Sequence, residues 1–228
     1  MFHTKWSNWE ITTTNREEWH VLRQEILVQH CYALTTKISP KLIIDVGAHC
    51  GIASLFFKTA YPEAKIIAIE PNPNILTMLE ENIWQNSLSN IEVWPYAIGQ
   101  KAGKQKLFSA AEEWYSVSSL RPDRQSTSQS LVEVITLSSV LKKFPQVDLL
   151  KIDIEGEEKK VLTEAKDFLP QVKNLLVECH LEYGVNPNDL NSILKTAFSK
   201  IDYWYQGKYH ENLPDLKKEK LLIIRAQK

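Results

Sequence analysis

Several features are missing from this 228-residue sequence, and each absence excludes a class of protein. No apolar run is long enough to cross a bilayer, and the first ten residues, MFHTKWSNWE, are too polar for a secretory signal peptide. There is no long basic run and the net charge is -1, which argues against a nucleic-acid partner held through its phosphates. We therefore expect neither a membrane nor a nucleic acid as a partner.

Cysteine is scarce as well. The chain has three cysteines, Cys31, Cys50 and Cys179, which is an odd number without a C-x-x-C pair. This pattern is typical of reduced thiols rather than of a disulfide framework or a zinc site built from paired cysteines. We therefore expect a cytoplasmic protein.

The residues that are present predict one α/β domain with an N-terminal extension. Hydrophobic residues make up 43% of the chain and charged residues 24%, as in ordinary globular domains. Residues 1–14 are expected to be irregular or to form a short strand. Asn15 then resembles an N-cap, and the apolar stripe that follows it predicts an amphipathic helix of about five turns, ending before Pro40. We expect this helix to pack on the sheet and to close one side of a site.

The stretch KLIIDVGAHCGIAS, residues 41–54, predicts a strand, a glycine turn and a helix. Residues 42–44 form a β-branched apolar run, which is typical of a strand buried on both faces of a parallel sheet. Gly47 and Gly51 mark the turn, and apolar residues at helical spacing follow it. In a doubly wound sheet a nucleotide-like ligand binds at this place, where glycine keeps a Cβ from pushing the ligand off the backbone.

A second predicted strand, KIIAI, ends at Glu70, where a carboxylate can accept hydrogen bonds from two ribose hydroxyls. This spacing fits either a nicotinamide dinucleotide or S-adenosylmethionine. A dinucleotide site needs the third glycine of G-x-G-x-x-G, so that a pyrophosphate can sit on the helix N-terminus, and this chain lacks it. A ligand without phosphates therefore fits better. The alternative is a tight turn that binds nothing.

Two later predicted strands end in pairs of polar residues. The segment VDLLKIDIEG is apolar up to Asp153 and Glu155, and NLLVECH ends with Glu178 and His180. Residues two apart share one face of a strand, so each pair can point to the same side. The alternative is ordinary hydrogen bonding at a strand end.

Two further segments complete the prediction. Residues 201–206 and 221–225 are the last two strands, and because no crossover helix separates them we expect an antiparallel hairpin at the sheet edge. Residues 112–119 and the polar run 122–130 form a long, weakly patterned connection. Such a segment is either a lid over the site or disordered, and both alternatives stay open.

These motifs make the chain similar to the FkbM family of methyltransferases. DVGAHCGIAS, IEPNP, AIG followed by Gly103, KIDIEGEEKKVL and LLVECH occur in the order seen in that family, within residues 41–225. The resemblance implies an α/β, Rossmann-like class I methyltransferase fold with a seven-stranded, mostly parallel sheet flanked by helices and an extra N-terminal helix. It also implies a catalytic domain at residues 41–228 and a helical extension at residues 1–40.

The resemblance has two departures. His49 stands where the family often has Asn, and Ser138 and Ser139 stand where an acidic residue is common. Neither departure removes cofactor binding, but both make the acceptor harder to infer from the family.

The resemblance implies S-adenosylmethionine as methyl donor, with S-adenosylhomocysteine as product. Tyr96 and Ala97 follow the third strand of the core and would lie near the adenine if Glu70 holds the ribose. The residues expected to contact the cofactor are Asp45, Gly47, Ala48, His49, Gly51, Ser54, Glu70, Pro71, Asn72, Tyr96, Ala97 and Asp153.

Methyl transfer from a sulfonium is an in-line displacement that requires aligned donor and acceptor, and a base assists when the acceptor is a hydroxyl. If the fourth and fifth strands are neighbours, Asp153, Glu155, Glu178 and His180 meet beside the methyl group and are the expected catalytic residues. Either His180 or a carboxylate takes the acceptor proton, or the carboxylates, with or without His180, hold a divalent metal that activates the hydroxyl. We expect no metal, because no tight ligand spacing in the sequence demands one.

Family members mostly methylate hydroxyls on sugars or natural products, so the expected function is O-methylation of a small-molecule acceptor. A methyltransferase acting on a protein side chain and a non-catalytic nucleoside-binding module are the alternatives. A nicotinamide-dependent dehydrogenase is disfavoured by the missing third glycine. The sequence leaves the oligomeric state open.

Overall fold

A computed structural model describes residues 1–35, 38–111, 116–121, 128–217 and 221–228 of the chain. The strands, in chain order, are β1 (Phe2–Trp6), β2 (Trp9–Thr13), β3 (Leu42–Val46), β4 (Lys65–Ile69), β5 (Ile91–Trp94), β6 (Ala97–Ile98), β7 (Gly103–Ala111), β8 (Ser116–Ser119), β9 (Ser128–Ile135), β10 (Val147–Ile152), β11 (Val172–Glu178), β12 (Lys200–Tyr205), β13 (Lys208–His210) and β14 (Leu222–Gln227).

The α-helices are α1 (Arg16–Leu22), α2 (Ile52–Ala60), α3 (Pro73–Gln85), α4 (Leu137–Leu141), α5 (Glu158–Glu164) and α6 (Pro187–Leu194). A π-helix, Arg23–Val28, continues α1 directly, and short 3₁₀ helices cover Lys166–Gln171 and Leu181–Tyr183.

The central sheet has the order β13-β12-β14-β11-β10-β3-β4-β5 within the described residues. The five strands from β11 to β5 are parallel, whereas β14 is antiparallel to both β11 and β12. The predicted fold class is confirmed. The sheet has eight strands within the described residues where seven were expected, because the short strand β13 pairs with β12 at its edge. The two last long strands do pair antiparallel, but β14 lies inside the sheet instead of in an edge hairpin.

Alternation along the strands gives the sheet two buried faces. Ile44 and Leu150 point into one core, which α4, α5 and α6 cover. Ile43 and Leu149 point into the other core, which contains α2 and the N-terminal extension. Because both faces are covered, the inner strands are mostly apolar and lack the polar alternation of a half-exposed sheet.

The N-terminal extension packs on the sheet as expected, but its structure differs from the prediction. Strands β1 and β2 form an antiparallel hairpin, and Asn82 of α3 bonds both the N–H and the C=O of Thr12. The helical part ends at Val28, well before Pro40, since the chain turns at His30, whose φ is 54°. The apolar stripe on which the longer helix was predicted continues past this turn as Cys31 and Tyr32, which are buried in the core beneath it.

A second sheet of the described residues has the order β6-β9-β7-β8. Part of the connection predicted to be weakly patterned is therefore regular strand. These residues form strands because β7 pairs with β9 and with β8. Their own strand propensity is weak, so the sequence pattern did not indicate the strands. The remainder of that connection, residues 112–115 and 122–127, lies outside the described residues.

Candidate active site

A cavity of about 720 Å³ opens at the carboxyl ends of β3, β4, β10 and β11. In open α/β sheets this is the edge where ligands bind. The helical extension forms one wall through Leu22, Glu25 and Ile26, and the small sheet forms another through Ser119 and Leu120. Glu25 belongs to the π-helix, a distortion that frequently occurs at functional sites.

The glycine turn after β3 forms the floor of the cavity. Gly47 and Gly51 both have left-handed backbones, with φ of 74° and 88°. A Cβ on Gly47 would lie 1.7 Å from the carbonyl oxygen of Asp153, and a Cβ on Gly51 would lie 2.6 Å from Leu79. The reason given from sequence, that glycine makes room for a ligand, is thus incomplete, because the nearest clash at each position is with the protein itself.

Glu70 lies directly after β4 and is buried, with 5% of its surface exposed. Its two carboxylate oxygens accept hydrogen bonds from the backbone N–H groups of His49 (3.0 Å) and Asn72 (2.8 Å). Each carboxylate oxygen keeps a lone pair for another donor. Burial raises the pKa of Glu70, and His49 and the two N–H groups oppose that rise.

His49 connects this turn to the extension. Its Nε2 atom lies 3.5 Å from Oε1 of Glu18 on α1, a carboxylate that is 1% exposed. Burial by itself lowers the pKa of His49, but Cys50, Glu18 and Glu70 outweigh burial and raise it to about 10. The backbone of His49 is left-handed, with φ of 51°. This conformation is one that Asn, the residue common in the family, also tolerates.

The structure brings the four predicted catalytic residues together, since β10 and β11 are parallel neighbours. The Nε2 atom of His180 lies 3.2 Å from Oε2 of Glu155, 3.6 Å from Oδ1 of Asp153 and 3.8 Å from Oε1 of Glu178. We call these four side chains the carboxylate–histidine cluster. Their proximity agrees with the prediction, whereas their catalytic role stays a proposal.

Mutual repulsion and burial shift the pKa values within this cluster. Burial raises the pKa of Glu155 to about 7, against the opposing charge of His180. Burial and Asp153 raise the pKa of Glu178 well above its usual range. The pKa of His180 is also raised, because Glu155 and Glu158 outweigh the effect of burial. Lys151 and His180 lower the pKa of Asp153 despite its burial.

Three residues of the site were not predicted from the sequence. Glu158 places Oε1 2.8 Å from Nδ1 of His180, Tyr32 donates its hydroxyl hydrogen to Glu178 at 2.8 Å, and Lys151 bridges Asp45 (3.3 Å) and Asp153 (3.1 Å). A lysine inside an apolar strand was a usable signal, because a buried ammonium needs partners. Tyr32 gave no signal, since its partner is 146 residues away.

The remaining predicted cofactor residues divide into two groups. Eight of the twelve predicted residues line the cavity, namely Gly47, Ala48, His49, Glu70, Pro71, Tyr96, Ala97 and Asp153. The other four do not line it, namely Asp45, Gly51, Ser54 and Asn72.

The predicted residues that do not line the cavity make contacts within the protein instead. Ser54 donates to Asp45 at 2.7 Å, and both are buried. Asn72 accepts from the N–H of Asn74 at the start of α3 and donates to Ser118 of the small sheet at 2.8 Å. Asn72 thus connects the loop after β4 to the small sheet.

Ser138 and Ser139, the second departure from the family pattern, lie at the start of α4. Ser138 bonds Glu164, and the N–H of Ser139 donates to the Thr136 cap. Neither serine lines the cavity. The missing acidic residue at these positions therefore has no direct bearing on what the cavity binds.

Solved structures with the same architecture define the class of fold. The chain superposes with a TM-score of 0.52 on the N-terminal domain of EvdMO1, determined in the presence of S-adenosylhomocysteine and D-fucose; the match covers 94% of this chain and 84% of that one at 9% identity. It superposes with the same score on a precorrin-6y C5,15-methyltransferase from Geobacter metallireducens, at 13% identity over 96% and 94% of the two chains. The fold is that of the class I methyltransferases.

The sequence comparison then gives the family. Residues 45–206 match the model of the methyltransferase FkbM domain, so the chain belongs to the FkbM family of S-adenosylmethionine-dependent methyltransferases. It is 29% identical over 196 residues to methyltransferase sdnD of Sordaria araneosa, covering 72% of this chain and 76% of that protein. The resemblance noted in the sequence is confirmed, and the family is one of methyltransferases rather than of nicotinamide-dependent dehydrogenases. Among the described residues, no helix has the length and apolarity needed to span a membrane.

Proposed function

We propose that this methyltransferase transfers the methyl group of S-adenosylmethionine to a hydroxyl oxygen of a small, uncharged acceptor. The observation that supports this most directly is the carboxylate–histidine cluster at the inner end of one continuous cavity. That cavity also contains the acidic tip of β4.

Cofactor binding follows from the floor of the cavity. Glu70 would hold the ribose hydroxyls, since its oxygens are buried and oriented by two backbone N–H groups. The adenine would lie beside Tyr96 and Ala97, which line the wall after β5. The methionyl part would cross the turn at Gly47 and place the sulfonium near Asp153.

The size of the cavity favours a small acceptor. A volume of about 720 Å³ lies within the range of small-molecule sites, roughly 300–1,000 Å³, and has to contain the cofactor as well. Leu22, Ile26 and Tyr183 give it apolar surface, against which a sugar or another alicyclic ring can pack. A side chain of a protein substrate is the competing acceptor, and it would have to enter the same space.

Charge in the cavity favours an uncharged acceptor. Besides the cluster, Glu25 and Glu182 line the wall, so a carboxylate-bearing acceptor would meet repulsion. A relative from Haloferax volcanii, 26% identical over 67% of this chain and 61% of its own length, is named a hexuronic acid methyltransferase. We expect this chain to differ from that relative in preferring a neutral sugar or alcohol.

Chemistry would occur at the cluster. The acceptor hydroxyl has to lose its proton as its oxygen attacks the methyl carbon, while the sulfur leaves with the bonding electron pair as S-adenosylhomocysteine. Groups at the cluster would orient the hydroxyl and take the proton, and general base assistance is worth about 10²–10⁴ in rate.

The test uses purified full-length chain with isotopically labelled S-adenosylmethionine and a panel of neutral sugars, uronates, alcohols and peptides. We expect release of S-adenosylhomocysteine with a neutral hydroxylated compound, and NMR of the product should show a methoxy group. Labelling of peptides alone, or of nitrogen alone, would contradict the proposal.

A further inference from the structure

We propose that the carboxylate–histidine cluster is a binding site for a divalent cation of the Mn²⁺ or Mg²⁺ type. Asp153 and Glu155 would each supply a carboxylate oxygen and His180 would supply Nε2, while Glu178 would lie beside the ion. The inference deepens the proposed function and rests on it for the role of the cation, but the binding itself can be measured without any acceptor.

Distances within the cluster match those between ligands of a common ion. For metal–ligand bonds of about 2.0–2.2 Å, neighbouring ligand atoms of an octahedron lie about 3 Å apart. The three carboxylate oxygens lie 3.2, 3.6 and 3.8 Å from Nε2 of His180. One atom each from Asp153, Glu155 and His180 falls within 4.8 Å of the other two. A small contraction around an ion would bring these atoms into coordination distance.

In three side chains of the cluster, the atom that faces away from the other members is already held by another group. Nδ1 of His180 lies against Glu158, Oε2 of Glu178 accepts from Tyr32, and Oδ2 of Asp153 lies 3.1 Å from Nζ of Lys151. Outer partners of this kind orient metal ligands in proteins, and a carboxylate behind the imidazole is the most frequent of them. The other atoms of these side chains, Nε2 of His180, Oδ1 of Asp153 and Oε1 of Glu178, face each other.

The turn that presents Glu155 is itself strained and fixed. Glu155 has a left-handed backbone, with φ of 56°, which is unfavourable for this residue type. Glu158 stabilises the turn by accepting from the N–H groups of Ile154 (3.3 Å) and Gly156 (3.1 Å). One buried carboxylate thus orients both Glu155 and His180. Strain of this sort is typical of ligand clamps.

The ligand chemistry selects the class of cation. Two carboxylates and one imidazole, with the Glu178 carboxylate beside them, form a hard set, which suits Mn²⁺ or Mg²⁺ better than a thiophilic metal. The charge of the ion would offset that of the three carboxylates. A coordinated acceptor hydroxyl would be more acidic and would be held next to the methyl group.

Binding is tested with Mn²⁺ by electron paramagnetic resonance, on full-length chain treated with a chelator and then desalted. We expect one Mn²⁺ per chain in the wild type and binding weakened by about tenfold or more in Glu155→Gln and His180→Gln. Glu80→Gln is the control, since Glu80 is exposed on α3, does not line the cavity and should leave Mn²⁺ binding unchanged. Calorimetry with S-adenosylhomocysteine checks that each variant is folded; Glu155 is partly exposed, so its variant tolerates the change even if His180→Gln does not.

Absence of Mn²⁺ binding by wild-type protein that still binds S-adenosylhomocysteine would overturn the inference, as would equal binding by Glu155→Gln. That result leaves the proposed function intact if methyl transfer proceeds in the presence of chelator. Conversely, stoichiometric Mn²⁺ binding by a protein that methylates no hydroxyl would uphold the site and contradict the proposed function.

Discussion

Glu158 and His180 are buried against each other, with Oε1 of Glu158 2.8 Å from Nδ1 of His180. The two residues come from different connections of the sheet, one after β10 and one after β11. Their contact requires the imidazole N–H to be on Nδ1 and directs Nε2 toward the cavity. Glu158 therefore orients the imidazole of His180, and it is a positioning residue if His180 acts on the acceptor as proposed.

Glu158→Gln should test this role. Glutamine keeps the shape but removes the charge that holds the imidazole, so we expect turnover to fall by about 10–100-fold while KM for S-adenosylmethionine stays close to the parent value. Steady-state kinetics measure both quantities. Glu157→Gln is the control, because Glu157 pairs with Lys160 instead. A purely structural role would lower the melting temperature and leave kcat per folded molecule unchanged.

Glu70→Gln should weaken cofactor binding. The amide loses charge-assisted bonds to the ribose, which are worth about 1.5–3 kcal/mol, so calorimetry should show a dissociation constant for S-adenosylhomocysteine about tenfold to a hundredfold higher. Exposed Glu80 on α3 gives the control variant Glu80→Gln. If Glu70→Gln binds like the parent, the ribose lies elsewhere in the cavity.

Gly47→Ala and Gly184→Ala form a matched pair for the glycine turn. Both glycines have similar left-handed backbones, φ 74° and 78°, but an added Cβ meets Asp153 only at position 47 and meets nothing within 4 Å at position 184. The backbone alone should cost each variant about 1–2 kcal/mol of unfolding free energy. Urea unfolding should show a clearly larger loss for Gly47→Ala. Equal losses would mean that the segments after β3 and β10, which carry Gly47 and Asp153, can move apart to admit a methyl group.

His49 predicts a pH dependence of stability. Its pKa in the folded protein is raised to about 10 by Cys50, Glu18 and Glu70 against burial, compared with about 6.5 in an unfolded chain. The charged form therefore stabilises the fold fully below about pH 6.5, and that contribution is lost as the pH rises toward 10.

The measurement is the difference in unfolding free energy between wild type and His49→Asn without cofactor, taken from pH 6 to pH 10. We expect the advantage of the wild type to shrink across this range, while groups that titrate in both proteins cancel. An advantage that stays constant with pH would show that the fold does not raise the pKa of His49, and an advantage that grows with pH would show that the fold lowers it.

Local sequence patterns were sufficient for much of this protein. Short-range apolar runs predict the buried parallel strands, since strand burial on both faces excludes polar alternation. Gly47, Gly51 and Glu70 predict the nucleoside side of the cavity, because turn geometry and the end of a strand depend on neighbours in the chain. The pairs at Asp153 and His180 predict the inner end once parallel pairing is assumed.

Other features depend on contacts between distant segments. The hairpin β1–β2 is stabilised by Asn82, 70 residues away, so short strands with weak patterns gave no basis to predict it. The early end of the N-terminal helix has a similar origin, since burying Tyr32 against the sheet outweighs continuing a regular helix. The small sheet over the cavity likewise exists through pairing and not through propensity.

In the carboxylate–histidine cluster, some features follow from the sequence and others only from the tertiary structure. Sequence alone determined which residues stand at the ends of β10 and β11, and with the parallel order it determined that they meet. Only the tertiary structure decided which atoms face each other, because Glu158, Lys151 and Tyr32 reach their partners through burial of charge in a common core. A buried polar group has to find a partner wherever the fold supplies one, and that partner has no fixed distance along the chain.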